Sequence, residues 1–302
     1  MSVDDLLALA GERAQEHASL APYTTYRVGG AARLLLTLDT PQDLLDVGPA
    51  LGECGLAVVV VGNGSNLLVA EGEHDIVALH LGEGFRGLDW SDVDGEVVVH
   101  AGAALDLPVA ARRLSADGVV GFEWAVGVPG TFGGAVAMNA GGHGSDMAAS
   151  VASVTLWRGQ LVSVSAADLH FGYRESALNA GDVVVEVTLR LRRGDADAAR
   201  AALRDVVAWR RAHQPGGANA GSVFRNPPGD SAGRLIEAVG AKGLRHGSAV
   251  VSDKHANFIQ VDAGGRANDV YELAREVAER VREATGVDLV FEHRLIGFGG
   301  DR

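Results

Sequence analysis

The sequence predicts an α+β fold with mixed sheets. Segments with helical periodicity and short runs rich in β-branched residues are interspersed along the 302 residues. They do not alternate strictly, as the strands and helices of a doubly wound parallel sheet would. The length suggests about two domains. Hydrophobic residues make up 47% and charged residues 22% of the chain, which are ordinary values for a globular protein.

Four segments carry apolar residues at the 3.6-residue spacing of an amphipathic helix. The second has Thr40 as its N-cap and Pro41 in its first turn. The fourth is preceded by Asn268 as a predicted N-cap and followed by Gly286 as a stop signal. The predicted helices cover residues 2–17, 41–53, 196–212 and 269–285.

Strands are predicted from short β-branched runs bounded by turn residues. A polar, charged stretch at 193–199 follows the sixth run and predicts the start of a C-terminal domain. The predicted strands are Arg33–Leu38, Leu56–Val61, Ile76–Leu79, Glu96–Ala101, Val151–Leu156, Val183–Leu191 and Asn257–Val261.

Charge and cysteine content exclude several classes of function. The net charge of −13 disfavours a nucleic-acid partner, because phosphate backbones repel an acidic surface. The single cysteine, Cys54, excludes an internal disulfide and a multi-cysteine metal site, and the histidines show no metal-ligand spacing. The acidic start lacks the basic patch of a signal peptide, and no membrane helix is predicted. We therefore expect a cytoplasmic protein without metal, nucleic-acid or membrane partners, as a monomer or weak oligomer.

The first of two glycine clusters follows the apolar run 58–61. Gly62 and Gly64 permit positive φ angles, so successive N–H groups could converge on an anion, with Ser65 and Asn66 as further donors. A Rossmann fingerprint is not predicted, because Leu67 stands where the third glycine belongs and no amphipathic helix follows. A phosphate-binding loop and a tight turn between strands both remain open.

The second glycine cluster, Gly127–Ser145, is apolar as well as glycine-rich. Glycine adds little burial and costs backbone entropy, so a core would not be built this way. The segment is typical of a surface that lets the main chain approach a large flat group or a pyrophosphate. A surface loop is the alternative, although such a loop should be more polar.

A third glycine motif, at 229–233, has the G-x-S-x-G spacing of a nucleophile elbow. Pro227 and Pro228 precede it, and prolines exclude the strand that such an elbow requires. Ser231 is therefore interpreted as a helix N-cap.

Three further segments contain chemically useful side chains, at 173–176, 219–227 and 291–294. Taken singly, each has an ordinary explanation: Arg174 as a surface ion pair, Ser222 as a turn hydroxyl and Glu292 as a solvated carboxylate. No two of them are close in sequence, so spacing alone cannot join them.

Seven ordered motifs nevertheless resemble one family almost from end to end. They are TTYRVGG (24–30), VVGNGSNLL (60–68), GVPGTFGGAVAMNAG (127–141), FGYRESAL (171–178), NAGSVFRNPPG (219–229), VVSDKHANFI (250–259) and FEHRLIGFG (291–299). The chain is similar to the UDP-N-acetylenolpyruvoylglucosamine reductases, flavoenzymes of bacterial cell-wall precursor synthesis, and to their compact subclass.

The resemblance implies a two-part FAD-binding module of the vanillyl-alcohol oxidase-like type, followed by an α+β substrate-binding domain. We place the parts at 1–70, 71–194 and 195–302. It also implies a cycle in which NADPH reduces FAD and a UDP-sugar enolpyruvyl ether then takes the hydride. We expect the FAD to be held noncovalently. The predicted FAD contacts are Arg27, Gly62, Asn63, Gly64, Ser65, Asn66, Leu67, Gly127, Pro129, Gly130, Thr131, Gly133, Gly134, Ala137, Asn139 and Val185.

The resemblance gives three residues catalytic roles. Arg174 would stabilise the charge that develops on the substrate carboxylate. Glu292 would lie at the same carboxylate and would need a proton, which implies a raised pKa. Ser222 would protonate the carbon that does not receive the hydride.

Predicted substrate contacts are Tyr173, His213, Arg225, Asn226 and Lys254. His213 and Arg225 both stand where the family usually has lysine. If the lysine at the first position meets the substrate diphosphate, a neutral histidine would weaken binding near neutral pH.

Two other functions remain open from the sequence. The same flavin module could serve an FAD-dependent oxidase of a sugar or alcohol, but an oxidase has no need of the proton donor Ser222. A non-catalytic nucleotide-binding protein is the second alternative, and a purified protein without flavin colour would favour it.

Overall fold

The computed structural model describes residues 2–299. Its helices are α1 (Val3–Ala10), α2 (Pro41–Glu53), α3 (Leu107–Ala116), α4 (Phe132–Ala137), α5 (Ala196–His213), α6 (Ala232–Ala238) and α7 (Ala267–Thr285). Its strands are β1 (Ala14–Ser19), β2 (Ala31–Leu38), β3 (Ala57–Val60), β4 (Leu67–Val69), β5 (Glu73–Leu81), β6 (Leu88–Val93), β7 (Glu96–Gly102), β8 (Val119–Val120), β9 (Gly141–Gly142), β10 (Ser145–Asp146), β11 (Val151–Trp157), β12 (Leu161–Ser165), β13 (Val183–Arg193), β14 (Arg245–His246), β15 (Ala249–Val251), β16 (Ile259–Val261) and β17 (Arg294–Ile296).

Two compact units make up the chain, and each is discontinuous in sequence. The first unit holds the residues through Glu16, then Leu34–Gly62 and Asp75–Arg210. The second holds His17–Arg33, Asn63–His74 and the residues from Arg211 onward. These units follow different boundaries from the predicted parts 1–70, 71–194 and 195–302, and that three-part division stays a prediction.

The first unit is built on an antiparallel sheet with strand order β12-β11-β13-β7-β6, and β8 also pairs with β13. Side chains alternate between the two faces of a strand, and Val187, Leu189 and Leu191 of β13 are accordingly buried at every second position. Neighbouring β7 pairs Val187 with Ala101 and Leu189 with Val99. The parallel pairing of β3 with β5 makes the overall sheet content mixed, as predicted.

The predicted domain start at 193–199 differs from the unit boundary, which falls at Arg210. The reason is the apolar face of α5. Leu203 is buried in the core of the first unit, and Val206 and Val207 pack against that core. Most of the helix therefore belongs with the residues before it rather than with those after it.

The second unit combines α6 and α7 with the three-stranded antiparallel sheet β14-β15-β16. The predicted stripe on α7 is buried at Val270, Leu273, Ala274, Val277 and Val281, whereas its last member, Ala284, is exposed in the final turn. In the same unit β4 pairs in parallel with β17, with Leu67 opposite Arg294. This pairing joins segments that lie more than 200 residues apart.

Helix ends test the predicted caps. Thr40 forms a capping box with Asp43, Ser231 accepts a hydrogen bond from the Arg234 N–H, and Gly286 ends α7 with a φ of +72°, so these three predictions are confirmed. The cap at Asn268 was wrong. The N-cap of α7 is Arg266, and the Glu71 carboxylate accepts from the N–H groups of the first turn.

The first helix was predicted too long, at 2–17. It ends at Ala10 because Gly11 adopts a φ of +55°, and residues 14–19 form β1 instead. No helix within residues 2–299 has the length and apolar character needed to span a membrane.

Candidate active site

The first glycine cluster is the turn between β3 and β4, so the prediction of a tight turn is confirmed. Gly64 has a φ of +57°, and a Cβ there would run into the main-chain carbonyl of Tyr23. The Gly64 carbonyl in turn accepts from the N–H of Thr25 at 3.3 Å. Residues 62–66 are only half-buried, so the fixed turn keeps polar groups accessible. A phosphate-binding role is compatible with this geometry.

The two glycine clusters meet inside the first unit. A Cβ added to Gly62 would lie 2.6 Å from the Oγ1 of Thr131, closer than real side chains pack. Thr131 is buried and immediately precedes α4. Glycine at position 62 is therefore required by the approach of the second cluster.

Some main-chain N–H groups of the second cluster already donate hydrogen bonds within the protein. The N–H of Phe132 donates to Leu105 at 3.0 Å, and the N–H of Gly133 donates to Ala103 at 2.8 Å. The Ala103 N–H donates to the carbonyl of Val185, a buried residue of β13. These groups fix the position of α4.

An exposed face of small residues remains on the second cluster. Pro129, Gly134 and Ala137 are exposed, and Gly130 is half-buried with a φ of +115°. A flat cofactor with a diphosphate can pack on such a face of small residues, so these residues fit FAD.

Asn139 holds the predicted Arg174 segment against the second glycine cluster. Its buried amide donates to the carbonyl of Gly172 at 2.9 Å and accepts from the N–H of Ala148 at 3.0 Å. The Ser176 hydroxyl donates to the carbonyl of Ala137 at 3.0 Å. Asn139 was predicted as an FAD contact. Its amide is engaged with the protein, and its role toward FAD stays a prediction.

Arg174 has a strained backbone. Its φ is +60°, in the left-handed region that costs a non-glycine residue roughly 1–3 kcal/mol. Its guanidinium lies over the ring of Tyr173, 5.5 Å from the centroid, and that ring is 55% exposed. Strain of this kind concentrates at functional positions, and the stacked guanidinium forms a cation–π contact with its neighbour.

In the second unit a short ladder pairs the segment that directly follows Ser222 with the segment that contains Glu292. The N–H of Glu292 donates to the carbonyl of Val223 at 2.8 Å, and the N–H of Arg225 donates to the carbonyl of Val290 at 2.9 Å. Phe224 and Phe291 form the antiparallel bridge between them. Two segments that sequence spacing could not join are therefore paired. Arg174 belongs to the first unit, and its convergence with this pair stays a prediction.

Two amides hold this ladder in place. Asn66, predicted as an FAD contact, donates from its side chain to the carbonyl of Glu292 at 2.9 Å. Asn257, which the sequence did not single out, is buried and brackets Phe224: it accepts from the Phe224 N–H at 3.0 Å and donates to the Phe224 carbonyl at 2.8 Å. A lone polar residue inside the apolar run ANFI was the available signal.

The predicted substrate contacts of the second unit lie in different local settings. Arg225 is half-buried on the ladder, and the Asn226 side chain accepts from the N–H of Ala232 at the start of α6. The Lys254 ammonium donates to the carbonyl of Arg211, near the end of α5. His213 is the last residue of that helix.

Arg27, predicted to contact FAD, also lies in the second unit. Its backbone is left-handed, with a φ of +60°. Its exposed guanidinium donates to the carbonyl of Pro22 at 2.9 Å. Neither the left-handed backbone nor the hydrogen bond to Pro22 is indicated by any sequence pattern.

His293, directly after Glu292, is fully buried as a neutral imidazole. Burial lowers its pKa to about 4, and the carbonyl of Ala220 opposes that shift only partly. The unfolded chain, with an ordinary histidine pKa of about 6.5, binds a proton between these values and the folded protein does not. Acidification through this window therefore destabilises the fold.

We expect the free energy of unfolding to fall by roughly 3 kcal/mol from pH ~7 to pH ~4 because of this residue. Denaturant unfolding at the two pH values measures the loss, and the His293→Gln variant should show a smaller one. An equal loss in that variant would place the pH dependence elsewhere.

The chain is similar to known proteins of one enzyme family. A family profile described as "UDP-N-acetylenolpyruvoylglucosamine reductase, C-terminal domain" matches residues 213–296. A UDP-N-acetylenolpyruvoylglucosamine reductase of Rubrobacter xylanophilus is 40% identical over 285 residues, covering 92% of this chain and 93% of the relative. The chain belongs to the UDP-N-acetylenolpyruvoylglucosamine reductase family.

Other comparisons agree with membership of the reductase family. The reductase of Anaeromyxobacter dehalogenans is 43% identical over 284 residues, covering 93% of this chain and 84% of the relative. The crystal structure of the Thermus caldophilus reductase superimposes with a TM-score of 0.79 at 35% identity, covering 92% of this chain and 97% of that one. A profile described as an FAD binding domain matches residues 32–165. The predicted fold, an FAD-binding module followed by the family's C-terminal domain, is confirmed, and the reductase-family chain is a flavoprotein oxidoreductase.

Proposed function

We propose that this chain catalyses the NADPH-driven reduction of UDP-N-acetylglucosamine enolpyruvate to UDP-N-acetylmuramate, a step in the formation of peptidoglycan precursors. The observation that carries the proposal is the ladder that pairs the segment next to Ser222 with the segment that contains Glu292, in a member of the reductase family. We propose a cytoplasmic location with it, because the acidic chain carries a single cysteine, as expected of a reducing compartment.

FAD would be held by the Gly62 turn and the exposed face of Pro129, Gly134 and Ala137. We propose noncovalent binding, since both surfaces offer main-chain donors and small apolar side chains rather than a nucleophile. Bound FAD supplies the hydride that NADPH provides and that the methylene carbon of the enol ether receives. The chain's own residues have to overcome the resistance of an electron-rich double bond to hydride.

Arg174 would lower that barrier by lying against the substrate carboxylate, where negative charge grows as the hydride arrives. Glu292 would share a proton with the same carboxylate, so that it stabilises the charge rather than repelling it. Ser222 would then give its hydroxyl proton to the carbon next to the carboxylate. Hydride on one carbon and a proton on the other complete the lactyl ether.

The flavin spectrum tests this function. Purified protein should show the visible absorbance of bound FAD, lose it on anaerobic addition of NADPH, and regain it when the enolpyruvyl nucleotide is added. Mass spectrometry should then find UDP-N-acetylmuramate. Reduced flavin that is reoxidised by oxygen but not by the nucleotide would instead support an oxidase and overturn the proposal.

His213 offers a test of the substrate site. We expect His213→Lys to lower the KM for the enolpyruvyl nucleotide, because a permanent positive charge at the end of α5 would attract the substrate diphosphate. Steady-state kinetics at neutral pH measure the change, and the KM for NADPH serves as the control. An unchanged or higher KM for the nucleotide would remove His213 from the diphosphate site.

A further inference from the structure

His293 makes a polar contact with the segment that precedes Ser222. The imidazole is 4% exposed, and its Nε2 lies 3.2 Å from the carbonyl oxygen of Ala220. A carbonyl oxygen can only accept, so the contact requires a proton on Nε2. The depressed pKa keeps the ring neutral, which leaves Nδ1 without a proton.

The ring is held in one orientation by its surroundings. Tyr26 packs against it edge-on, with ring centroids 5.6 Å apart and an interplanar angle of 84°. Tyr26 is itself buried, and burial raises the pKa of its hydroxyl while the main chain of Ala220 opposes the shift.

The Ser222 loop is thus fastened on both sides by successive residues of one segment. On the far side of Ser222, the N–H of Glu292 donates to the carbonyl of Val223. On the near side, His293 donates to Ala220. Between the two anchors lies Gly221, which has a φ of +79° and whose N–H donates to the Asn219 side chain at 3.1 Å. Asn257 bonds to the main chain of residues 223–224, whereas His293 bonds to the main chain of Ala220.

We propose that His293 is a positioning residue for the proton transfer from Ser222: its Nε2–H holds the Ala220 carbonyl and so fixes the Ser222 hydroxyl relative to the Glu292 carboxylate. This role rests on the proposed function, because it acts through the two groups that protonate the substrate and stabilise its charge. Proton transfer needs donor and acceptor within hydrogen-bond reach, and a shift of about 1 Å in such a group can cost ~10²-fold in rate.

Two substitutions separate positioning from packing. His293→Leu keeps an apolar side chain of similar size but removes the donor, and His293→Gln keeps an amide N–H that can reach the Ala220 carbonyl. Both are measured in the FAD-loaded enzyme by stopped-flow absorbance, with flavin reduction by NADPH and reoxidation by the enolpyruvyl nucleotide followed separately. His74→Leu is the matched control, since the His74 Nε2 also meets a main-chain carbonyl, that of Ala70, in the same unit.

We expect His293→Leu to slow reoxidation at least ~10-fold at saturating nucleotide, with flavin reduction unchanged, and His293→Gln to restore most of the rate. In the Ser222→Ala background, His293→Leu should have no further effect, because residues that act through one group are not additive. A wild-type reoxidation rate in His293→Leu, or equal losses in the Leu and Gln variants, would overturn the proposal.

Two measurements keep the outcome interpretable. ¹⁵N NMR of the histidine side chains in the unsubstituted holoenzyme should show His293 as the neutral Nε2–H form even if a variant folds poorly, and a neutral Nδ1–H or a charged ring would overturn the proposal. If the unsubstituted enzyme itself fails to reoxidise with the nucleotide, the proposed function is rejected. An active enzyme beside an unaffected His293→Leu variant rejects only the role of His293.

Discussion

Ser222→Ala is expected to leave the reduction of bound FAD by NADPH intact and to slow its reoxidation by the enolpyruvyl nucleotide by about 10²–10⁴-fold. Hydride addition leaves negative charge on the carbon beside the carboxylate, and without the serine hydroxyl no side chain in the proposed trio supplies the proton there. Stopped-flow absorbance of the two half-reactions measures the effect directly.

A matched serine controls for nonspecific effects. Ser165 lies at the exposed end of β12 and its hydroxyl bonds to Asp168 within its own turn, so Ser165→Ala should behave as the unsubstituted protein in both half-reactions. Loss of flavin reduction in Ser222→Ala, with reoxidation preserved, would show that Ser222 serves NADPH or FAD rather than the substrate.

Sequence spacing could not join Ser222 and Glu292, and the ladder between their segments explains why. Residues 223–225 and 290–292 are too short to show strand periodicity, and their pairing depends on segments far apart in the chain. Only the resemblance to the reductase family connected them before the structure did. Among the residues that hold the ladder, Asn257 is marked only by its place in the apolar run ANFI and His293 by no local pattern, because a buried hydrogen bond to the main chain leaves no trace in spacing.

Local features were predicted well for a physical reason. α2 is specified by Thr40, Pro41 and Asp43 within its first turn, and α7 by its own apolar stripe and Gly286. These signals act over a few residues. The cap of α7 failed because of a distant partner: Glu71 replaces Asn268 at the start of that helix from almost 200 residues away.

The glycine clusters were predicted from their local composition, but their contacts with distant residues were not. Composition correctly marked 62–66 as a turn and 127–145 as unusual, but it could not show that Gly62 faces Thr131 or that the N–H groups of Phe132 and Gly133 are already engaged. The predicted set of FAD contacts stays a prediction, and some of its main-chain N–H groups already donate within the protein.

Arg174→Gly is expected to slow reoxidation of the reduced enzyme by about 10²–10³-fold, the usual cost of removing one group that stabilises developing charge. The same variant should be no less stable than the unsubstituted protein, because glycine adopts the φ of +60° without the strain that an arginine bears there. Denaturant midpoints and the two half-reactions are measured on the same preparations.

The combination distinguishes a functional from a structural arginine. Asn139 and Ser176 anchor the surrounding turn through their own hydrogen bonds, so removal of the Arg174 side chain should leave the turn in place. The control is Arg190→Met on the exposed face of β13, which removes an exposed charge from the same unit and should leave reoxidation unchanged. Methionine is used there instead of glycine because glycine weakens a strand. A variant at position 174 that loses stability and keeps its reoxidation rate would show that the strained backbone serves the fold. A stable variant with slow reoxidation would show that the strained conformation of Arg174 serves catalysis.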